Sequence, residues 1–206
     1  MLCRAMGRPT PELMLDAVRV LCYLNRTRHL GLRFEPDQTD LSGQSDSDWA
    51  VRHSTSGYVF RFNSAAISWG SKKQASVALS SCEAEIMAAS EAAKEAVYLS
   101  GFLDELGEPR DGPVELGVDN TGARDLAYNP EHHAKVKHIE RRHFFVREMV
   151  ENMRIRVPYV NTADNMADFF TKALPPKSFI PMRDAIMNVP ACESDVMSLD
   201  QSTGGC

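Results

Sequence analysis

The stretch from Ser80 to Leu106 narrows most sharply what this chain can fold into. Ser80 followed by Glu83 forms a capping box, which predicts a helix start at Ser80. Ala88, Ala89, Ala92, Ala96, Leu99 and Leu103 then recur on one helical stripe, and Gly107 with Pro109 ends it. Small residues on that stripe let the helix backbone lie close on a sheet. A long helix of this kind needs strands beside it.

The neighbouring segments supply them. Gly57-Tyr58-Val59-Phe60-Arg61-Phe62 and Ala65-Ala66-Ile67-Ser68-Trp69 flank Asn63-Ser64, which reads as a hairpin turn. A preceding strand ending near Asp46 to Trp49 makes this a three-strand meander. Val114–Val118 is a short strand opening into a short helix at Asn120-Thr121-Gly122-Ala123. Ile139 to Met153 reads as a second long helix, Ile155 to Val160 as a fifth strand, and Ala167 to Leu174 as a last helix before Pro175-Pro176. Upstream, Thr10-Pro11-Glu12 is a helix start with Met14, Val18, Leu21 and Leu24 at helical spacing. The order predicts an α/β fold: a five-stranded mixed sheet, three antiparallel strands and then parallel ones, with helices on both faces.

Glu85 heads the alanine stripe. At 100° per residue it lies about 200° around the helix from Glu83, so it points to the sheet while Glu83 serves the cap. A lone buried carboxylate is costly unless neutralised or metal-bound. Three further acids stand at or just beyond strand ends: Asp46 in Ser45-Asp46-Ser47-Asp48-Trp49, Asp119 in Gly117-Val118-Asp119-Asn120, and Asp168 in Asn165-Met166-Ala167-Asp168. Asp48 shares a strand face with Asp46 and competes for its role, as Asp164 competes with Asp168 for the last helix cap. Asp119-Asn120 alone reads equally as a turn or cap. Carboxylates gathered from separate elements repel one another unless hard divalent cations such as Mg²⁺ neutralise them, and such ions also organise phosphoryl transfer.

The chain has 206 residues, 43% hydrophobic and 25% charged, enough for one full domain with extra pieces. No apolar run approaches the roughly 20 residues that span a bilayer, and the first residues lack the apolar core of a secretory signal. Five scattered cysteines without a CxxC pair fit reduced thiols inside a cell, so the expected location is intracellular, cytoplasmic or nuclear, and not secreted. A net charge of −5 is unlike most nucleic-acid binders. One basic patch stands against that total: Lys135, Lys137, Arg141, Arg142 and Arg147, with His132, His133, His138 and His143, against Glu140. It reads equally as a solvated face or as a phosphate-contacting one. The four histidines lack a cysteine or ordered spacing for a closed zinc site. From Ala191 onward too few apolar residues remain to pack.

Taken together, Ser45-Asp46-Ser47-Asp48-Trp49-Ala50, Ser54-Thr55-Ser56-Gly57-Tyr58-Val59-Phe60, Ala66-Ile67-Ser68-Trp69 with Ser71-Lys72-Lys73-Gln74, and Ala78-Leu79-Ser80-Ser81 to Glu85 resemble the ribonuclease H domain of Ty1/copia-type retrotransposon Pol polyproteins. Asp119-Asn120, Lys137-His138-Ile139 and Ala167-Asp168 with Thr171-Lys172 extend the resemblance, which runs from about Arg8 to Arg183. Arg8-Pro9-Thr10-Pro11 to Leu24 resembles the connection from the reverse transcriptase. The resemblance implies a connecting segment over 1–38, a ribonuclease H-like domain over 39–183 and a disordered tail over 184–206. It implies hydrolysis of the RNA strand of RNA–DNA hybrids with two Mg²⁺ ions, for which Mn²⁺ can substitute. Asp46 would bridge both ions, Asp168 would complete the one activating water, and Glu85 with Asp119 would hold the one facing the leaving oxygen. Lys72, Lys73, Gln74, Asn120, Lys137, His138, Arg141 and Arg142 are the expected nucleic-acid contacts. No paired-aspartate polymerase motif is present, so the chain reads as a fragment or remnant of a polyprotein normally fused to reverse transcriptase.

Three departures from the family pattern stand out. Only Val51-Arg52-His53 separates Asp48-Trp49-Ala50 from Ser54; Cys82 and Ile86 replace the usual Thr and Tyr; and no histidine follows Val160 where bacterial relatives use one for product release. The short turn motivates a second reading, a catalytically inactive remnant that keeps the fold and nucleic-acid binding. An integrase-type core would share the sheet, but its glutamate follows the later strand, whereas Glu85 precedes Asp119.

Overall fold

Residues 7–36, 40–50, 53–108, 112–128 and 140–190 are described by the computed structural model. Helix α1 (Pro11–Arg26) belongs to one unit of the chain, and Arg33–Asn188 forms the other. Thr10 caps α1, accepting from the Leu13 amide at 3.4 Å, with Pro11 at the first helical position. Met14, Val18, Leu21 and Leu24 are all exposed, and no residue of α1 is buried. Cys82 is a free cysteine.

In the larger unit, β1 (Ser42–Asp48), β2 (Thr55–Phe62) and β3 (Ala65–Lys73) form the antiparallel meander. Asn63 and Ser64 join β2 to β3 with φ of 52° and 72°. Two positive φ values match the turn to the twist of the flanking strands, and Asn tolerates that region well. β4 (Val114–Val118) pairs parallel to β1 and β5 (Ile155–Arg156) parallel to β4, giving the five-strand order β3-β2-β1-β4-β5. Helix α2 (Ser81–Glu105) precedes β4, while α3 (Thr121–Tyr128) and α4 (Glu140–Glu151) lead from β4 to β5. The mixed sheet is the predicted one.

Consecutive strand residues point to opposite faces, and β2 shows both sides filled. Phe60 packs in the main core with Ala89, Ala92, Ala96 and Leu99 of α2 and Leu116 of β4. Val59, its neighbour, packs on the other face with Ala66, Phe169, Phe170 and Ile186. The alanine stripe is the buried face of α2, as its spacing predicts.

Three elements differ from expectation. β5 is only Ile155–Arg156, with a single further bridge between Val118 and Tyr159, because Pro158 has no N–H to extend the ladder. The helix expected over Ala167 to Leu174 is one turn, α5 (Asp168–Thr171), and Lys172 is already extended. A further helix, α6 (Pro176–Met187), follows it and crosses the expected tail boundary after Arg183. Pro175-Pro176 reads as a stop in the sequence, yet Pro176 occupies the first turn of α6, where its missing N–H is no loss. Among the described residues, no helix is long and apolar enough to cross a membrane.

Candidate active site

Asp46 lies within β1, Asp119 directly follows β4, and Asp168 opens α5. Three elements thus deliver one carboxylate oxygen each to a common point, all within 4.8 Å of one another. Asp46 is 1% exposed. Asp48, two residues further along the same strand face, is outside this cluster.

α2 brings the fourth acid. Ser80 Oγ accepts from the Glu83 amide at 3.1 Å, and the Glu83 carboxylate reaches back past Ser80 to the Leu79 amide at 2.6 Å. The cap therefore uses Glu83 and sets the helix phase that turns Glu85 inward. Glu85 is 7% exposed, and its Oε2 is buried without a hydrogen-bond partner among the described residues. Burial, with the nearby charges of Asp46 and Asp119, pushes its pKa up to about 9, against a backbone hydrogen bond from Ser47 and the charge of Lys172. Glu85 neighbours the cluster electrostatically but is not among its three mutually close oxygens.

Polar contacts with β1 seat α5. The Asn165 amide nitrogen donates to the Ser45 carbonyl at 3.0 Å, its oxygen accepts from Ala167 N at 3.1 Å, and Gln44 Oε1 accepts from Met166 N at 2.6 Å. Thr171 Oγ1 donates to Asp46 Oδ2. Lys172 Nζ donates to Asp168 Oδ1 at 2.7 Å and to Asp46 Oδ1 at 3.3 Å. Burial raises the Asp168 pKa; the Lys172 hydrogen bond opposes that shift, and the Asp46 and Asp119 charges add to it. Burial disfavours the Lys172 ammonium, but its bond to Asp168 and the charges of Asp46 and Asp168 outweigh this and raise its pKa. Hard oxygen donors so gathered, beside an orphaned buried carboxylate oxygen, fit a hard divalent cation.

No family model matches the chain. It is 41% identical over 169 residues to the retrovirus-related Pol polyprotein from transposon TNT 1-94 of Nicotiana tabacum, covering 80% of this chain and 13% of that one. It is 36% identical over 183 residues to the corresponding polyprotein from transposon RE1 of Arabidopsis thaliana, covering 86% of this chain and 12% of that one. Over most of its length the chain is similar to one segment of these retrovirus-related Pol polyproteins. It spans only 13% and 12% of the length of these two polyproteins. In structure the chain is similar to LC11-RNase H1, isolated from compost, with a TM-score of 0.50 at 15% identity over 65% of this chain and 93% of that one. The fold of this Pol segment is ribonuclease H-like.

Of the nucleic-acid contacts expected of the Pol segment, Lys72, Lys73 and Arg142 line one cleft with Ser56, Gln74 and Glu91. Gln74 itself is buried, and its Nε2 donates to Ser56 Oγ at 2.9 Å, Ala84 O at 3.0 Å and Ser47 Oγ at 3.4 Å. It is a strut tying β1 and β2 to α2. Asn120 Oδ1 accepts from Ala123 N at 3.0 Å and caps α3, the role its local sequence allowed. Lys137 and His138 lie outside the described residues, as do His132, His133 and the side chains of Arg141 and His143. Thr171 and Lys172 were visible only as part of a motif, with no signal for their contacts to an acid about 125 residues away.

Proposed function

We propose that this chain is a ribonuclease H that hydrolyses the RNA strand of RNA–DNA hybrids with two divalent ions, Mg²⁺ or in its stead Mn²⁺. The convergence of Asp46, Asp119 and Asp168 within 4.8 Å, with the unpartnered Glu85 oxygen beside them, carries the reading. Asp46 would be shared by both ions, Asp168 would serve the first, and Glu85 with Asp119 the second. Bound there, the ions supply a water nucleophile at neutral pH and neutralise charge on the attacking and leaving oxygens.

The chain's own groups do the rest. Asn165 and Gln44 hold α5 on β1, so the acids are presented without a large loop motion. Lys72, Lys73 and Arg142 offer cations to backbone phosphates, a contact that carries no base sequence and suits recognition by hybrid shape. Residues 1–38 belong, on this reading, to the connection with a reverse transcriptase. The family relationship supports the setting.

A hybrid with a labelled RNA strand tests it. Wild-type protein in Mg²⁺ is expected to cut the RNA internally, leave the DNA strand intact, and stop in EDTA. A folded sample that cuts in neither Mg²⁺ nor Mn²⁺ overturns the catalytic reading. The short Val51-Arg52-His53 spacing between Ala50 and Ser54 in the sequence would then be the first place to look, with non-catalytic hybrid binding as the remaining role.

A further inference from the structure

Where α5 ends, the chain turns a cation back onto the acids. Lys172 Nζ stands 2.7 Å from Asp168 Oδ1 and 3.3 Å from Asp46 Oδ1, while Thr171 Oγ1 donates to the other oxygen of Asp46. Both oxygens of a carboxylate only 1% exposed are therefore engaged, one of them by a charge. Among the described residues, Lys172 is the cation in ion-pair contact with the cluster. Its own side chain is 35% exposed, so the ammonium has a path to water.

Two carboxylates this close repel each other, and an ammonium between them offsets the repulsion. A divalent ion would need the same oxygens. An ammonium on a flexible four-carbon stem can give them up, since it forms point contacts rather than a rigid fork. Thr171, short and held by its helix, can keep Asp46 in place during the exchange.

We propose that Lys172 is a displaceable internal cation, which holds Asp46 and Asp168 together and yields their oxygens to an incoming divalent ion. The proposal rests on the two-ion metal centre. It makes Lys172 a positioning residue and a competitor: the protein keeps its acids assembled at the expense of metal affinity, because an ion binds only to the fraction with the ammonium displaced.

The sign of the effect separates this from a lysine that supports the loaded site. Calorimetric titration with Mn²⁺, and with Mg²⁺, is expected to give about tenfold tighter binding for Lys172→Met than for wild type. Its melt in EDTA should fall below wild type, and the gain on adding Mn²⁺ should exceed that of wild type. Equal or weaker metal binding by Lys172→Met overturns the proposal while leaving the metal centre intact. If neither protein binds a divalent ion, the metal centre itself fails and the proposal with it; binding by the variant alone upholds both.

Should Lys172→Met not fold, wild type carries a second readout. Amine-reactive labelling followed by peptide mass spectrometry is expected to modify Lys172 severalfold faster in saturating Mg²⁺ than in EDTA, with Lys94 as an internal reference. Unchanged or slower labelling at Lys172 overturns the exchange.

Discussion

Gly57 faces Asp46 directly across the β1–β2 ladder, and a Cβ added at Gly57 would stand 2.6 Å from Thr171 Cγ2 and 3.1 Å from the Ala167 carbonyl. The missing side chain is what lets α5 lie against the strands. Asp168 and Thr171, both carried by α5, reach Asp46 only because of that approach.

Gly57→Ala is therefore expected to act on the metal site through overpacking. A methyl at this distance from backbone forces α5 outward, at a loss of about 1–3 kcal/mol of stability. Divalent-ion affinity should fall as well, because the oxygens of Asp46 and Asp168 separate. Chemical denaturation and Mn²⁺ titration of the same sample check both. Unchanged affinity would show that α5 tolerates the added methyl in place.

Glu85 makes stability depend on pH in a definite direction. Its folded pKa of about 9 lies above its ordinary value of 4.5. Below pH 4.5 both states hold the proton and no penalty arises. As pH rises toward 9 the unfolded chain ionises and the folded one does not, so stability is lost across that window. Glu85→Gln removes the titration. In EDTA the variant should match wild type near pH 5 and exceed it increasingly toward pH 9, by at most about 1.4 kcal/mol per pH unit. Denaturation midpoints of both proteins across that range decide it; a constant offset would place the Glu85 proton elsewhere.

Glu85 also marks what could be read before any coordinates. A capping box fixes helix phase, and phase alone turns Glu85 inward and leaves Glu83 at the cap, as the Leu79 and Glu83 amide bonds bear out. The Asn63-Ser64 turn was legible for a similar reason, since local backbone demands act within a few residues. Gln74 was not. Its three partners lie 10, 18 and 27 positions away, and an exposed-looking Lys-Lys-Gln run gives no hint that its third member turns into the core. Likewise, Pro175-Pro176 is a stop and a start at once, and only the packing of Ile186 with Val59 and Ala66 explains why a helix follows.

Gln74 and its two lysine neighbours should accordingly behave as opposites. Gln74→Ala strips hydrogen bonds from the buried Ala84 carbonyl and the Ser56 hydroxyl, and is expected to lose about 1–3 kcal/mol of stability. Hybrid binding by the folded fraction should keep its salt dependence. A flattened salt slope with unchanged stability would return Gln74 to the nucleic-acid contacts.

Replacing Lys72, Lys73 and Arg142, which line one cleft, should do the reverse. Removal of each cation that meets a phosphate is expected to lower the slope of log K against log salt by about one unit. Stability should change little, since both lysines are exposed. Filter binding or anisotropy at several salt concentrations gives the slope, and an unchanged slope would mark the cleft as solvated surface only.

Asp46→Asn tests the centre itself. The substitution keeps the shape of the side chain and can still accept from Thr171, but it removes the charge that both ions would share. Cleavage of hybrid is expected to disappear. Metal binding should collapse with it, so the melting temperature of wild type rises on adding Mg²⁺ and that of the variant barely moves. In EDTA two effects oppose each other: loss of a charge beside Asp168 relieves repulsion, while Lys172 loses one of its two acidic partners. Asp46 is almost fully buried and Lys172 partly exposed, so relief of the buried repulsion should win and the metal-free variant should melt at or slightly above wild type. A variant that melts well below wild type in EDTA would mean that the Lys172 pairing outweighs the repulsion it offsets. A variant that still cleaves would remove Asp46 from the reaction altogether.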